Sequence, residues 1–392
     1  MKWARPALCA VLSVGWVSLS QAATWQVLVV GLKDDPRYEK LRLEKAYAGQ
    51  VAGRPLDGAL VAAEEAQASL QPLGHQIKVQ SLEWNGQQLP QLLAQIKAHA
   101  AQFVLLDLPA AHQKAVMAQT DATRPASYFF NVSEASDELR GAACHPAWLH
   151  TLPSARMHAD ALSQWLMARN WKEVLMLSGS KPADLQAKAV WQGSLKRFGL
   201  KLRADKGFVL SGDPRQREAG NVRLLTADPG HDVVLVVDAE GEFARGVPYN
   251  TAQARPVVGD AGLLPMAWHA RWDRYGAPQL NRRFQRRAGR PMGAQDWAAW
   301  AAVKSVASAL EELPKAAAPQ LWQALRNGTV TLDGFKGVVL SYRAWDGQLR
   351  QPVFLAHTDA VAGMAPLEGA MHPRDVLDTL GADEGESACR RK

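Results

Sequence analysis

Several absences narrow the reading of this sequence. Cysteine is scarce, with three in 392 residues. Past the first twenty-odd residues no apolar run reaches the ~18 residues of a membrane-spanning helix. There is no Walker A loop, no HExxH, no GxSxG elbow and no GxGxxG after the first apolar run. Phosphate-loop, zinc-protease, α/β-hydrolase and dinucleotide chemistry therefore have no local motif to stand on. Ten histidines are scattered through the chain, without the spacing of a zinc site. Neither a catalytic set, nor a metal, nor a cofactor is expected. What is present is ordinary for a soluble globular chain: 47% hydrophobic and 21% charged residues, with no low-complexity tract. Single cores stop growing near ~250–300 residues, so this length predicts two lobes with separate cores.

The start of the chain reads as a secretory signal peptide, residues 1–22. Lys2 and Arg5 precede an apolar run from Ala7 to Leu19, and Ser20-Gln21-Ala22 places small residues at a cleavage site. Export predicts a soluble periplasmic protein, and cleavage removes Cys9. The remaining pair, Cys144 and Cys389, is a candidate disulfide in an oxidising compartment. Metal binding with His145 is the alternative, at spacings that make a poor zinc signature. Net charge is +7, and +5 once Lys2 and Arg5 leave. The one dense basic run is Arg282-Arg283-Phe284-Gln285-Arg286-Arg287 with Arg290. In an exported protein it reads as a solvated face that could dock an acidic partner, not as a nucleic-acid site.

Strand-like apolar runs then alternate with helical segments, which is the pattern of a doubly wound α/β layer. Trp25–Gly31, Ile77–Trp84 and Phe103–Leu108 are buried strands, and Tyr128–Val132 is extended. The loop from Lys33 to Pro55 is longer than usual, and long loops are often functional. Past Pro153-Ser154, which open a helix, the pattern restarts with strands at Glu173–Leu177, Leu202–Leu210 and Asp232–Val237. A short strand at Pro256–Gly259, a helical block and a hairpin of Val338–Tyr342 with Gln351–Ala356 follow. The expected division is 24–149 with 270–330 for one lobe, 150–269 with 331–360 for the other, and a tail from 361 to 392. Tyr128–Leu166 is the expected first crossing between them.

Ligands of open α/β sheets bind beyond the carboxyl ends of the strands, and pockets favour interfaces between lobes. That rule selects Asp107, Asn131 and Ser133 from the first lobe, and Ser154, Ser178, Ser180, Asp238 and Glu240 from the second. Trp268, on the return crossing, is a candidate wall. Ser178-Gly179-Ser180 also fits an anion site at a helix N-terminus, or equally a plain helix-entry turn.

The order of elements resembles type I periplasmic substrate-binding proteins of ABC transporters, in their leucine/isoleucine/valine-binding branch. Leu152-Pro153-Ser154 stands where that branch has its second-lobe helix entry, and Ala294–Leu310 resembles its late helix. Gly334–Ala356 resembles its closing "F-x-G, strand, D-x-G, strand" segment. The stretches LRGAACHPAWLHTLPS (139–154), GLLPMAWHARWDRYGAPQLNRRFQRRAGRPM (262–292), GFKGVVLSYRAWDGQLRQPV (334–353) and LDTLGADEGESAC (377–389) resemble more closely one subgroup. That subgroup is the binding proteins associated with the pyrroloquinoline-quinone-dependent alcohol dehydrogenase system. The resemblance implies a monomeric, non-enzymatic protein that captures a small ligand by hinge closure and presents it to an inner-membrane permease. A non-transport sensor or accessory of alcohol oxidation is the alternative. One departure bears on the ligand. The branch places a Gly and a Ser after the third strand to hold an amino acid, and this chain has Asp107-Leu108-Pro109-Ala110-Ala111.

Overall fold

The computed structural model describes residues 22–47 and 49–389, and the expected signal peptide, apart from Ala22, lies outside the described residues. The first half of the chain runs β1 (Ala23–Leu32), α1 (Lys40–Glu44), α2 (Leu56–Leu70), β2 (His75–Trp84), α3 (Leu89–Ala98), β3 (Phe103–Asp107), α4 (Ala110–Ala118), β4 (Tyr128–Asn131) and β5 (Trp148–His150). Its five strands form a parallel sheet in the order β2-β1-β3-β4-β5. Helices cover both faces, so the inner strands are continuous apolar runs with no alternation. Val27–Val30 and Phe103–Leu106 are all buried.

The pattern restarts at α5 (Ala155–Ala168), whose N-cap Ser154 accepts from the backbone N–H of Met157 at 3.2 Å. Then come β6 (Glu173–Ser178), α6 (Pro182–Arg197), β7 (Lys201–Gly207), α7 (Val222–Leu225), β8 (Val233–Val237), α8 (Val247–Asn250) and β9 (Val257–Gly259). This sheet is parallel in the order β7-β6-β8-β9, which repeats the winding of the first. Its edge strand β7 (KLRADKG) is charged and largely exposed, a composition that discourages pairing with another chain.

From here the chain alternates between the lobes. The strand β10 (Leu264–Met266) belongs to the second lobe, while α9 (Ala277–Ala288), α10 (Ala294–Glu312) and α11 (Ala318–Arg326) return to the first. The helix α10 is buried along most of its length because it lies against α2, with Gly58 where any side chain would strike its backbone. Next are β11 (Leu332–Asp333), β12 (Val339–Tyr342), β13 (Leu349–Arg350), β14 (Val353–Ala356) and β15 (Val361–Ala365).

Three boundaries differ from the sequence expectation. Leu332, Leu340, Tyr342 and Leu349 pack in the first core, and Val353 and Leu355 in the second. The last crossing therefore lies near 350–353 and not at 331. The hairpin partner of β12 is the short β13, while β14 pairs with β10 and β15 in a separate antiparallel sheet. The tail begins with the strand β15 and only then becomes irregular. Cys144 and Cys389 are joined, with Cα atoms 5.6 Å apart across 245 residues.

The crossings are held side by side. Gln351 Nε2 donates to Thr151 O at 2.7 Å, and Gln348 Nε2 donates to His150 O and Leu152 O at 3.2 and 3.1 Å. Lys336 is fully buried there. Its ammonium donates to Gln351 Oε1 and Pro352 O and lies 3.8 Å from the centre of the Trp297 ring. Burial pushes this amino group well below the usual lysine value, while amide, carbonyl and ring face take the place of its water.

Candidate ligand cleft

A cavity of about 290 Å³ lies between the lobes. The long loop after β1 supplies Tyr47, Gly49 and Gln50, and Ala135 completes the first lobe's share. The second lobe supplies Ala155 and His158 of α5, Ala187, Val190 and Trp191 of α6, Asp238, Ala239, Gly259 and Asp260 from the ends of β8 and β9, and Leu264 and Pro265. One wall is therefore apolar helix surface and another is carboxylate.

The loop reaches across the cleft and is fastened on the far side. Gln50 Nε2 donates to Glu240 O at 3.0 Å, and Arg245 Nη2 donates to Lys45 O at 3.0 Å. The Arg245 guanidinium lies 5.0 Å from the centre of the Tyr47 ring. Gly241 has φ +73°, and a Cβ there would overlap the Tyr47 hydroxyl, so this close approach requires glycine.

The acidic wall is built by backbone contacts among carboxylates. Asp260 Oδ2 accepts from Asp238 N at 2.8 Å, and Asp238 Oδ2 accepts from Ala244 N at 2.9 Å. Behind them Asp184 Oδ1 accepts from Ala239 N at 2.8 Å and its Oδ2 from Lys181 N at 3.1 Å. Burial, with the charges of Asp238 and Asp184 nearby, pushes the Asp260 carboxyl up to about 7. Burial beside Asp260 and Asp238 pushes the Tyr47 phenol up to about 12. The imidazole of His158 is pushed down to about 4 by burial, with Lys336 and Arg140 adding to the effect. It is thus a neutral ring, and its Nε2 finds no hydrogen-bond partner among the described residues.

Of the residues selected from sequence, Asp238 lines this cavity. Glu240 stands at its lip, giving its carbonyl to Gln50 and its carboxylate to Lys181. The others lie outside its lining, most of them held by contacts within the protein. Asp107 is buried and accepts from Tyr38 Oη at 2.8 Å and Arg37 Nη2 at 3.0 Å, which fastens the start of the long loop. Asn131 is fully buried and spends its amide on the turn beyond β4. Its Oδ1 accepts from Gln113 Nε2 and Glu134 N, and its Nδ2 donates to Glu134 O. Ser133 sits in that turn, its backbone N–H donating to Asn131 Oδ1 at 3.3 Å. The N-terminal N–H of Ala110 donates to Glu134 Oε2 at 3.1 Å, so the carboxylate that caps α4 is the protein's own.

On the second lobe Ser154 is consumed as a helix cap beside the hinge. Ser178 is buried at the strand end and Ser180 is exposed. The helix-entry N–H of Lys181 meets Asp184, which fills the place expected for an outside anion. Trp268 is no wall. It is fully buried in the first core, stacked on Trp297, with Nε1 donating to Asn281 Oδ1 at 2.9 Å. Among the described residues no group of three or more His, Cys, Asp and Glu is arranged to hold a metal.

Sequence reasoning missed Tyr47, Gln50, His158, Trp191 and Asp260. The strand-end rule that selected Asp238 applies equally to Asp260, the residue after β9. Tyr47 lies in the loop whose length marked it as functional.

No family model matches the chain, and no curated protein matches it either. Solved structures do. A branched-chain amino acid ABC transporter periplasmic ligand-binding protein from Burkholderia xenovorans superposes with a TM-score of 0.70 at 13% identity, covering 94% of this chain and 99% of its own. A leucine-, isoleucine-, valine-, threonine- and alanine-binding protein from Brucella ovis, in its closed conformation, gives 0.65 at 12%, covering 85% and 89%. An ABC transporter solute-binding protein from Rhodopseudomonas palustris, in complex with 3,4-dihydroxybenzoic acid, gives 0.62 at 13%, covering 87% and 94%. The fold is that of the two-lobed type I periplasmic binding proteins. At these identities the likeness extends to fold alone.

Proposed function

We propose that this chain is a periplasmic solute-binding protein that closes on a small ligand between its lobes and presents it to an inner-membrane ABC permease. It works without turnover, as a monomer, after loss of residues 1–22. The observation that carries the reading is the inter-lobe cavity lined from both lobes, with Asp238, Asp260, Tyr47 and His158 facing it. Contacts to both lobes favour the closed state, and this differential affinity is the whole of the mechanism.

The same geometry bears on the ligand. The Brucella and Rhodopseudomonas proteins are named for, or hold, ligands that carry a carboxylate. In this cleft two carboxylates already line the wall. At the strand ends of the first lobe Arg37 is spent on Asp107 and the Ala110 N–H on Glu134. The cleft is suited to a cationic group, an amine above all, with an apolar body against Trp191, Val190 and Leu264. The stretches quoted for the alcohol dehydrogenase subgroup, 139–154, 262–292, 334–353 and 377–389, support a role beside periplasmic alcohol oxidation. In that setting amines and amino alcohols are the first compounds to test.

Thermal-shift and calorimetric titration against amines, amino alcohols, branched-chain amino acids and aromatic acids tests the proposal. Amines should raise the melting temperature, and the rise should vanish in Asp238→Ala and Asp260→Ala. Tight binding of an aromatic acid that survives both substitutions would overturn the ligand class.

A further inference from the structure

A second hollow, of about 500 Å³, opens directly outside the acidic cavity, and the two share Tyr47 and Leu264 in their walls. Its charge is of the opposite kind. Arg245 and Arg255 line it, with the exposed Tyr249 between their elements and with His357 and Asp359 of the β14–β15 turn opposite. Two guanidiniums against one carboxylate leave this outer hollow basic. Among the described residues the inner cavity is lined by two carboxylates and no cation.

Tyr47 is the partition. Its hydroxyl end lies against Gly241, where burial and then the charges of Asp260 and Asp238 raise its pKa, while Arg245 stands over its ring 5.0 Å from the centre. Leu264 is the apolar part of the same partition. Across Tyr47 and Leu264 the lining therefore changes from acidic on one side to basic on the other.

We infer that the cleft takes an elongated dipolar ligand, with an ammonium against Asp238 and Asp260, an apolar chain past Tyr47 and Leu264, and an anionic group at Arg245 and Arg255. This rests on the cationic reading of the inner cavity and adds the anionic end. An α-amino acid carries both charges on one carbon and cannot satisfy the two ends together. An ω-amino acid of sufficient length can. The guanidiniums suit a carboxylate or a phosphate ester, since each offers paired N–H donors to planar or tetrahedral oxygens.

The test is calorimetric titration with three matched series: unbranched amines, ω-amino acids of increasing length, and diamines of the same lengths. Beyond a threshold length the ω-amino acid should bind about tenfold or more tighter than the amine of that length, which is about 1.4 kcal/mol. Arg255→Ala should bring that ratio toward one. Arg255→Glu should reverse it, so that the diamine becomes the tighter ligand. Amines that bind while ω-amino acids gain nothing at any length would overturn this inference and leave the inner site standing. A gain that persists in Arg255→Glu would overturn it as well. Failure of all three series, with retention of fold shown by circular dichroism, would remove the cationic reading itself.

Discussion

In the free protein Asp238 and Asp260 share one wall, and a proton on Asp260 relieves the cost of holding both charges there. Its carboxyl, pushed up to about 7 from the ordinary value of 3.8, binds that proton more tightly folded than unfolded. The stability this proton contributes is fully present below the unfolded value and is lost as pH rises through about 7. A cationic ligand needs the ionised form, so its affinity should run the other way, rising about tenfold per pH unit up to about pH 7 and levelling above. Melting curves from about pH 5.5 to about pH 8, with and without an amine, should show a falling baseline and a growing ligand-induced rise. Asp260→Asn should flatten both trends. Affinity that is constant over that range would mean Asp260 does not meet the ligand's charge. Titration of His158 plays no part in this window, since burial holds it down to about 4.

At the scale of elements, the loop from Lys33 to Pro55 is what turns an ordinary sheet edge into a cleft wall. It starts from a buried anchor, Arg37 with Asp35 and Asp107, and ends by touching the second lobe through Tyr47 and Gln50. Arg37→Ala would leave Asp107 buried with hydroxyl partners but without its cation. On the order of 2–4 kcal/mol of stability should go with it, read by denaturant unfolding, because the uncompensated carboxylate bears its full desolvation cost. Solute affinity should weaken too, through disorder of the loop carrying Tyr47. A loss below ~0.5 kcal/mol would place the pair among surface bridges of little consequence.

The same loop shows where sequence stops informing. Its length marked it, but irregular sequence has no period, and nothing local says that Tyr47 lines the inter-lobe cavity while Tyr38 faces Asp107. The parallel strands were legible because burial on both faces leaves an uninterrupted apolar run. The partners of Asp107 and Asn131 were not, because Arg37 and Gln113 reach them through the fold, and a strand-end carboxylate or amide looks free until those partners are placed. Trp268 reads alike as a cleft wall or a core ring. Only the stacking on Trp297 from a distant helix decides it.

For the molecule as a whole the decisive feature is how the tail meets both lobes. Gly381 N donates to Asp160 Oδ2 at 2.8 Å, and Gly381 O accepts from Arg197 Nη1 at 2.7 Å, which fixes the strap to α5 and α6 of the second lobe. Just before this point Asp378 takes Arg343 and Arg350 from the hairpin at the last crossing. Eight residues on, Cys389 is bonded to Cys144, in the β4–β5 connection of the first lobe. Eight residues reach at most roughly 27 Å when fully extended, so the strap sets an upper limit on how far the lobes part beside the hinge. Opening must occur within that limit or release the ion pairs at Asp160 and Asp378. Cys389→Ser removes the covalent end alone. In the chain-entropy model a loop of this length is worth about 5 kcal/mol, of which roughly 2–5 should appear as lost unfolding free energy. The ligand-free variant should also have a larger radius of gyration by small-angle scattering, while the ligand-bound variant matches the native protein. Unchanged ligand-free dimensions alongside the expected loss of stability would make the bridge a staple of the tail only, and hinge range would then be set by the three crossings at Thr151, Ala267 and Gln351.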